Sequence, residues 1–163
     1  MRKNIVIIAA LLFGLFSAQK ADAHCEIPCG IYNDQLRVKL LYEHFTTIEK
    51  SMNEINALAE KGEKNYNQLV RWITNKEDHA VKVQHVVEQY FMHQRIKTKE
   101  KGEKGYEKYV RQITLAHKLT VYAMKAKQTT DLKYVKLLRE TLDEFVKAYF
   151  TEEELKHMEK HHE

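Results

Sequence analysis

The sequence predicts an all-α fold, an antiparallel four-helix bundle. Three observations carry that reading. The 163 residues include one proline and five glycines, and Leu, Lys, Glu, Val and Ala are plentiful, which favours long helices over strands. From Asp34 onward apolar residues recur at three- and four-residue steps, the period of a helix with one buried face. Short polar turns separate the stripes, so neighbouring helices bury them most simply by folding back on one another.

The first helix starts at Asp34 and carries Leu36, Leu40, Leu41, Phe45, Ile48, Met52, Ile55 and Leu58. Lys61-Gly62-Glu63 ends it. The second runs from about Lys64 to Lys99, with Tyr66, Leu69, Val70, Ile73, Val83, Val86, Val87, Tyr90, Phe91 and Ile96 on its stripe. Gly102 and Gly105 bracket the next turn, and the charged run KTKEKGEKG at 97–105 reads as solvated. The third helix spans about Tyr106 to Gln128, with core candidates Tyr109, Val110, Ile113, Ala116, Leu119, Val121, Tyr122 and Met124. Thr129, Thr130 or Asp131 can cap the fourth. That helix carries Leu132, Val135, Leu138, Leu142, Phe145, Val146, Tyr149 and Phe150. Thr151 and Glu154 then fit a capping box for a short terminal turn.

Lys and Arg number 27 against 23 Asp and Glu, a net charge of +4. That is too small to argue for nucleic acid. Two cysteines cannot make a disulfide framework, so the fold must rest on a packed core. No repeat and no linker divides residues 33–163, which read as one domain.

The N-terminus is different. Arg2 and Lys3 precede the 12-residue apolar run IVIIAALLFGLF, and Ala21-Asp22-Ala23 follows. This is the pattern of a secretory signal peptide, residues 1–23, cleaved by a signal peptidase. The run is short for a membrane span, so no stable membrane association is expected after cleavage. The protein is expected in the periplasm or outside the cell. His24 precedes Cys25 where a lipid-modified cysteine normally has a small residue, which argues against a lipoprotein. Losing Arg2, Lys3, Lys20 and Asp22 with the leader lowers the net charge to +2.

Cleavage after Ala23 exposes the α-amine of His24 ahead of Cys25, Glu26, Ile27, Pro28, Cys29, Gly30, Ile31 and Tyr32. The two thiolates, the amine and the Cys25 backbone nitrogen can lie in one plane, which suits Ni(II) or Cu(II). The His24 imidazole can approach axially. Zinc prefers a tetrahedron and fits less well. Pro28 restricts Ile27 and helps hold a hook, and Gly30 lets backbone pass close by. Before cleavage the His24 nitrogen is an amide, so processing would switch metal binding on.

The run His24 to Tyr32 resembles the nickel hook, H-C-x-x-P-C-G-x-Y, of nickel-containing superoxide dismutases, with every fixed position matched. The helical remainder is similar in length and carries the pair Tyr90-Phe91. The resemblance implies a metal-binding hook at 24–32 ahead of the bundle, one nickel ion per chain cycling between Ni(II) and Ni(III), a homohexamer, and conversion of superoxide to oxygen and hydrogen peroxide. By that resemblance His24, Cys25 and Cys29 are the metal ligands, and Tyr32 stands beside the open face and governs access. Glu26, Pro28, Gly30 and Tyr90 surround them. Some relatives have Asp at the Glu26 position and Lys at the Met92 position. A Glu and an Arg orient the axial imidazole in the family, and Glu43 is the candidate for the first.

Competing readings start from the same residues. A Cys25–Cys29 disulfide would close a tiny loop and constrain the unfolded chain little. His157 and His161, four apart, would complete a Cys2His2 zinc site with the two cysteines. His44, His79, His85, His93 and His117 form no cluster along the sequence. A non-catalytic metal-capture protein and a secreted helical interaction domain are the rival function classes; metal content and superoxide turnover separate them.

Overall fold

The computed structural model describes residue 28, residues 30–60 and residues 65–160. It is all-α among those residues, as expected. The elements are α1 (Asp34–Glu60), α2 (Tyr66–His85) running on as a π-helix (Val86–Arg95), α3 (Tyr106–Gln128), α4 (Lys133–Tyr149) and a short α5 (Glu152–Lys160). The leader, much of the hook and the turn at 61–64 lie outside the described residues.

Local chemistry sets the helix ends. Asn33 Oδ1 accepts the Leu36 N–H at 2.9 Å and caps α1. Asp131 Oδ1 accepts the Lys133 N–H at 2.9 Å at the head of α4. Thr151 and Glu154 form the expected capping box: the Thr151 N–H donates to Glu154 Oε2 at 2.8 Å and the Glu154 N–H to Thr151 Oγ1 at 3.3 Å. The expected helix to Lys99 stops short, at Arg95. Ile96 is extended and buried, and its N–H reaches back five residues to the Phe91 carbonyl at 2.8 Å. Residues 97–105 are exposed. Gly102 and Gly105 take φ +96° and +91° there, which glycine adopts without strain.

Side-chain ties show that the helices are antiparallel. On α1 and α4, Tyr42 donates to Asp143, and Arg139 pairs with Glu49 at 2.9 Å. On α1 and α2, Asn75 donates to Ser51 at 2.9 Å while His44 meets His79. On α2 and α3, Lys76 reaches Ala126 while Gln84 reaches Thr120; on α3 and α4, Lys108 reaches Tyr149 while Gln112 reaches Ala148. In each pair rising numbers on one helix meet falling numbers on the other. The core centres on Phe45, Phe91 and Phe145, with Phe91 edge-on to Phe145 at 5.1 Å.

Several expected core residues are instead exposed: Leu36, Tyr66, Val70, Ile73, Val110, Met124 and Leu132. Each helix of a bundle buries only the arc that faces its neighbours, and these side chains flank that arc. Residues outside the expected stripes are buried instead, namely Val38, Ala80, Leu115, Ala123 and Ala126.

Lys76 is 3 % exposed. Its ammonium donates to the Ala126 carbonyl at 3.0 Å, to the Lys127 carbonyl, and to Glu77 at 3.0 Å. It thus satisfies the carbonyls that end α3, where the helix dipole is negative. Replacing it with Met leaves them buried without a donor. Lys76→Met should cost about 2–3 kcal/mol, read as a lower urea midpoint; an unchanged midpoint would refute the role.

His44 and His79 place their Nδ1 atoms 3.1 Å apart, across α1 and α2. Sequence separation had hidden this pairing. Burial, then His79 and Lys82, hold His44 down to about 4. Burial and Lys82 lower His79 as well, with Asp78 opposing. The unfolded chain therefore binds protons that the folded pair refuses. Stability should be full above about pH 6.5 and fall as pH drops toward 4. Urea unfolding at stepped pH should show a shallower acid loss in His44→Gln than in the parent; parallel losses would remove the pair from the account.

Candidate metal centre

The chain enters α1 through a turn. The Ile31 N–H donates to the Pro28 carbonyl at 2.8 Å, and Gly30 has φ +79°. A glycine with positive φ at the third position is the type II signature. No atom lies within 4 Å of where a Gly30 Cβ would stand, so backbone conformation, not crowding, asks for glycine. Of the residues singled out by sequence, Pro28, Gly30, Tyr32 and Tyr90 are described. His24, Cys25, Glu26 and Cys29 lie outside the described residues.

Two residues beyond Tyr32, Asp34 gathers three elements. Arg95 donates through Nε to Oδ1 at 2.8 Å and through Nη2 to Oδ2 at 2.7 Å. Tyr90 donates to Oδ1 at 2.6 Å, and Tyr149 to Oδ2 at 2.8 Å. Burial alone would raise the Asp34 carboxyl, but these hydrogen bonds and the Arg95 charge outweigh it and hold it below its ordinary value. Burial, then the bond to Asp34, push the Tyr90 and Tyr149 phenols well above theirs.

The rings continue the cluster. Tyr32 and Tyr90 meet edge-on with centroids 5.8 Å apart. The Arg95 guanidinium lies 4.4 Å from the Tyr32 ring centre, and that of Arg37 lies 5.0 Å from the Tyr90 centre. Tyr32 remains 38 % exposed. A hollow of about 250 Å³ opens beside it, lined by Tyr32, Asn33, Asp34, Gln35, Arg95, Phe150 and Glu154.

Glu43 is exposed on α1, nine residues beyond Asp34 and away from this cluster. Met92 packs partly against the core. Sequence reading missed Asp34, Arg95 and Tyr149 as members of the site. Asp34 enters the sequence reading only as the start of the first helix, Tyr149 only as a residue of the fourth stripe, and Arg95 not at all.

The donor set fits nickel. The thiolates of Cys25 and Cys29 and the imidazole of His24 are soft-to-borderline ligands matched to a late first-row ion. The described part of the hook ends in a turn of fixed geometry, anchored beside an aromatic cluster. Among the described residues no group of three or more His, Cys, Asp or Glu could hold a metal ion.

One family model, described as nickel-containing superoxide dismutase, matches residues 19–153. No curated protein and no solved structure matches the chain.

The phenol shifts give a test. A group raised in the folded state stabilises it below the unfolded value, about 10 for tyrosine, and loses that contribution as pH climbs. Alkaline titration of phenolate absorbance should show a late phase that coincides with loss of helix. Asp34→Asn removes the negative neighbour and should bring part of that phase to lower pH. A single early wave with helices intact would refute the network.

Proposed function

The chain belongs to the nickel-containing superoxide dismutase family, and we propose that its nickel sits in the hook formed by residues 24–32 once residues 1–23 are removed. It is an oxidoreductase that acts on superoxide and uses nickel. In the proposed site the His24 α-amine and imidazole, the Cys25 and Cys29 thiolates and the Cys25 backbone nitrogen would hold the metal, one ion per chain. Nickel supplies one-electron exchange there, its higher oxidation state favoured by anionic sulfur and amide nitrogen. The single observation that carries the reading is the anchored Pro28–Tyr32 turn, which leads a ligand-rich segment onto a rigid polar cluster.

The chain's own residues position and admit the substrate. The Tyr32 hydroxyl has no hydrogen-bond partner among the described residues, so it can donate to a small anion at the hook. Asp34 neutralises Arg95. Arg37 has no carboxylate partner among the described residues and offers a positive charge beside Tyr90, while Glu154 brings a negative one to the lining of the hollow. Tyr90 packs against the Tyr32 ring at a steep angle.

Export follows from the leader, with a periplasmic or extracellular location and a signal peptidase as the maturing enzyme. A homohexamer is the proposed assembly. Its support in the fold is the exposed apolar line Tyr66, Val70, Ile73 and Val81 on one face of α2, Tyr66 being 74 % exposed.

The experiment compares a chain beginning at His24 with one that retains a single extra residue. Both are loaded anaerobically with Ni(II), and superoxide decay is followed. Fast decay by the first and none by the second is expected, because only the first offers a free amine. Equal turnover by both would overturn the amine-ligated site, and nickel binding without turnover would favour metal capture.

A further inference from the structure

We propose that Arg95 is a positioning residue for Tyr32, and that the π-helical register of Val86–Arg95 exists to place it there. The proposal rests on the reading of the hook as the metal site.

The geometry is a two-sided grip. One guanidinium lies over the Tyr32 ring at 4.4 Å and also closes a two-pronged bond, 2.8 and 2.7 Å, on Asp34, two residues along the same chain. Tyr90 bears on the ring edge-on at 5.8 Å while its hydroxyl donates to the same carboxylate. Tyr32 is therefore held between the Arg95 guanidinium and the Tyr90 ring. Its hydroxyl stays clear of the described residues and is left for the hook.

Helix register decides whether this grip can form. Tyr90 and Arg95 are five residues apart. In an α-helix that separation turns them about 140° from each other, and they could not both reach one oxygen of Asp34. In a π-helix, with bonds from i to i+5, five residues make roughly one turn. The register is visible in the Ile96 N–H to Phe91 carbonyl bond, five residues back, at the end of the π-helix. The π-helical stretch thus presents both side chains on one face.

Charge is not what Arg95 contributes, since Asp34 cancels it at 2.7 Å. The planar fork and the flat stacking face are, and lysine has neither. This separates positioning from electrostatic steering.

The test uses the full mature chain from His24 with 3-fluorotyrosine at position 32, as parent, Arg95→Gln and Arg95→Lys. The fluorine-19 resonance of Tyr32 is recorded without and with nickel, together with superoxide turnover and melting temperature. Both variants should shift the resonance toward that of solvent-exposed fluorotyrosine and lower kcat/KM by up to about a hundredfold, the scale of a 1 Å misplacement. Arg95→Lys keeps a cation beside Asp34 and carries the test if the glutamine variant does not fold. An unmoved resonance, with or without lost turnover, overturns the proposal, as does full turnover in the lysine variant. A parent that binds nickel but leaves superoxide untouched sinks the functional reading instead, and the resonance still decides the positioning claim.

Discussion

The carboxylate of Asp34 is the constraint on which the site end of the molecule depends. It accepts four hydrogen bonds from Tyr90, Arg95 and Tyr149. A largely buried ion would be costly alone; charge-assisted, two-pronged pairing with Arg95 and two phenol donors offset that cost. Asp34 is also the first residue of α1. The same group therefore starts a helix, where a negative charge suits the dipole, and fastens that helix to the π-helix and to the end of α4. Any segment leading into α1 inherits its orientation from this bond set.

The opposite end of the bundle uses a different device. There Lys76 satisfies the terminal carbonyls of α3 from within α2, a cation at a negative helix end in place of a carboxylate held by donors. Between the two ends the contacts are mainly apolar and aromatic, and the polar exceptions are paired: Asn75 with Ser51, His44 with His79, Gln84 with the Thr120 carbonyl. These pairs fix register between helices whose apolar stripes alone would tolerate sliding.

The division of labour follows from size and chemistry. The described bundle offers no cluster able to hold a metal ion. The nickel chemistry is proposed for the nine residues before Asn33, which are too few to fold alone. The bundle's contribution is a rigid platform: a glycine-dependent turn, two edge-on tyrosines and two stacked guanidiniums.

The sequence by itself determined the all-α class, four core-forming helices, the Thr151–Glu154 capping box and the solvated run at 97–105, because these follow from periodicity and local hydrogen-bonding chemistry. It also pointed to the family and the metal, since hook residues are contiguous and their spacing is the signal. It overestimated the core at Tyr66, Val70 and Ile73, because periodicity names a face but not how wide an arc the neighbours cover. Tertiary structure alone decided that Asp34, Tyr90, Arg95 and Tyr149 form one network, that His44 meets His79, and that the second helix changes register at Val86. Those pairings join positions separated by 35 to 115 residues, and the register change makes neighbours of side chains that an α-helical reading places on different faces.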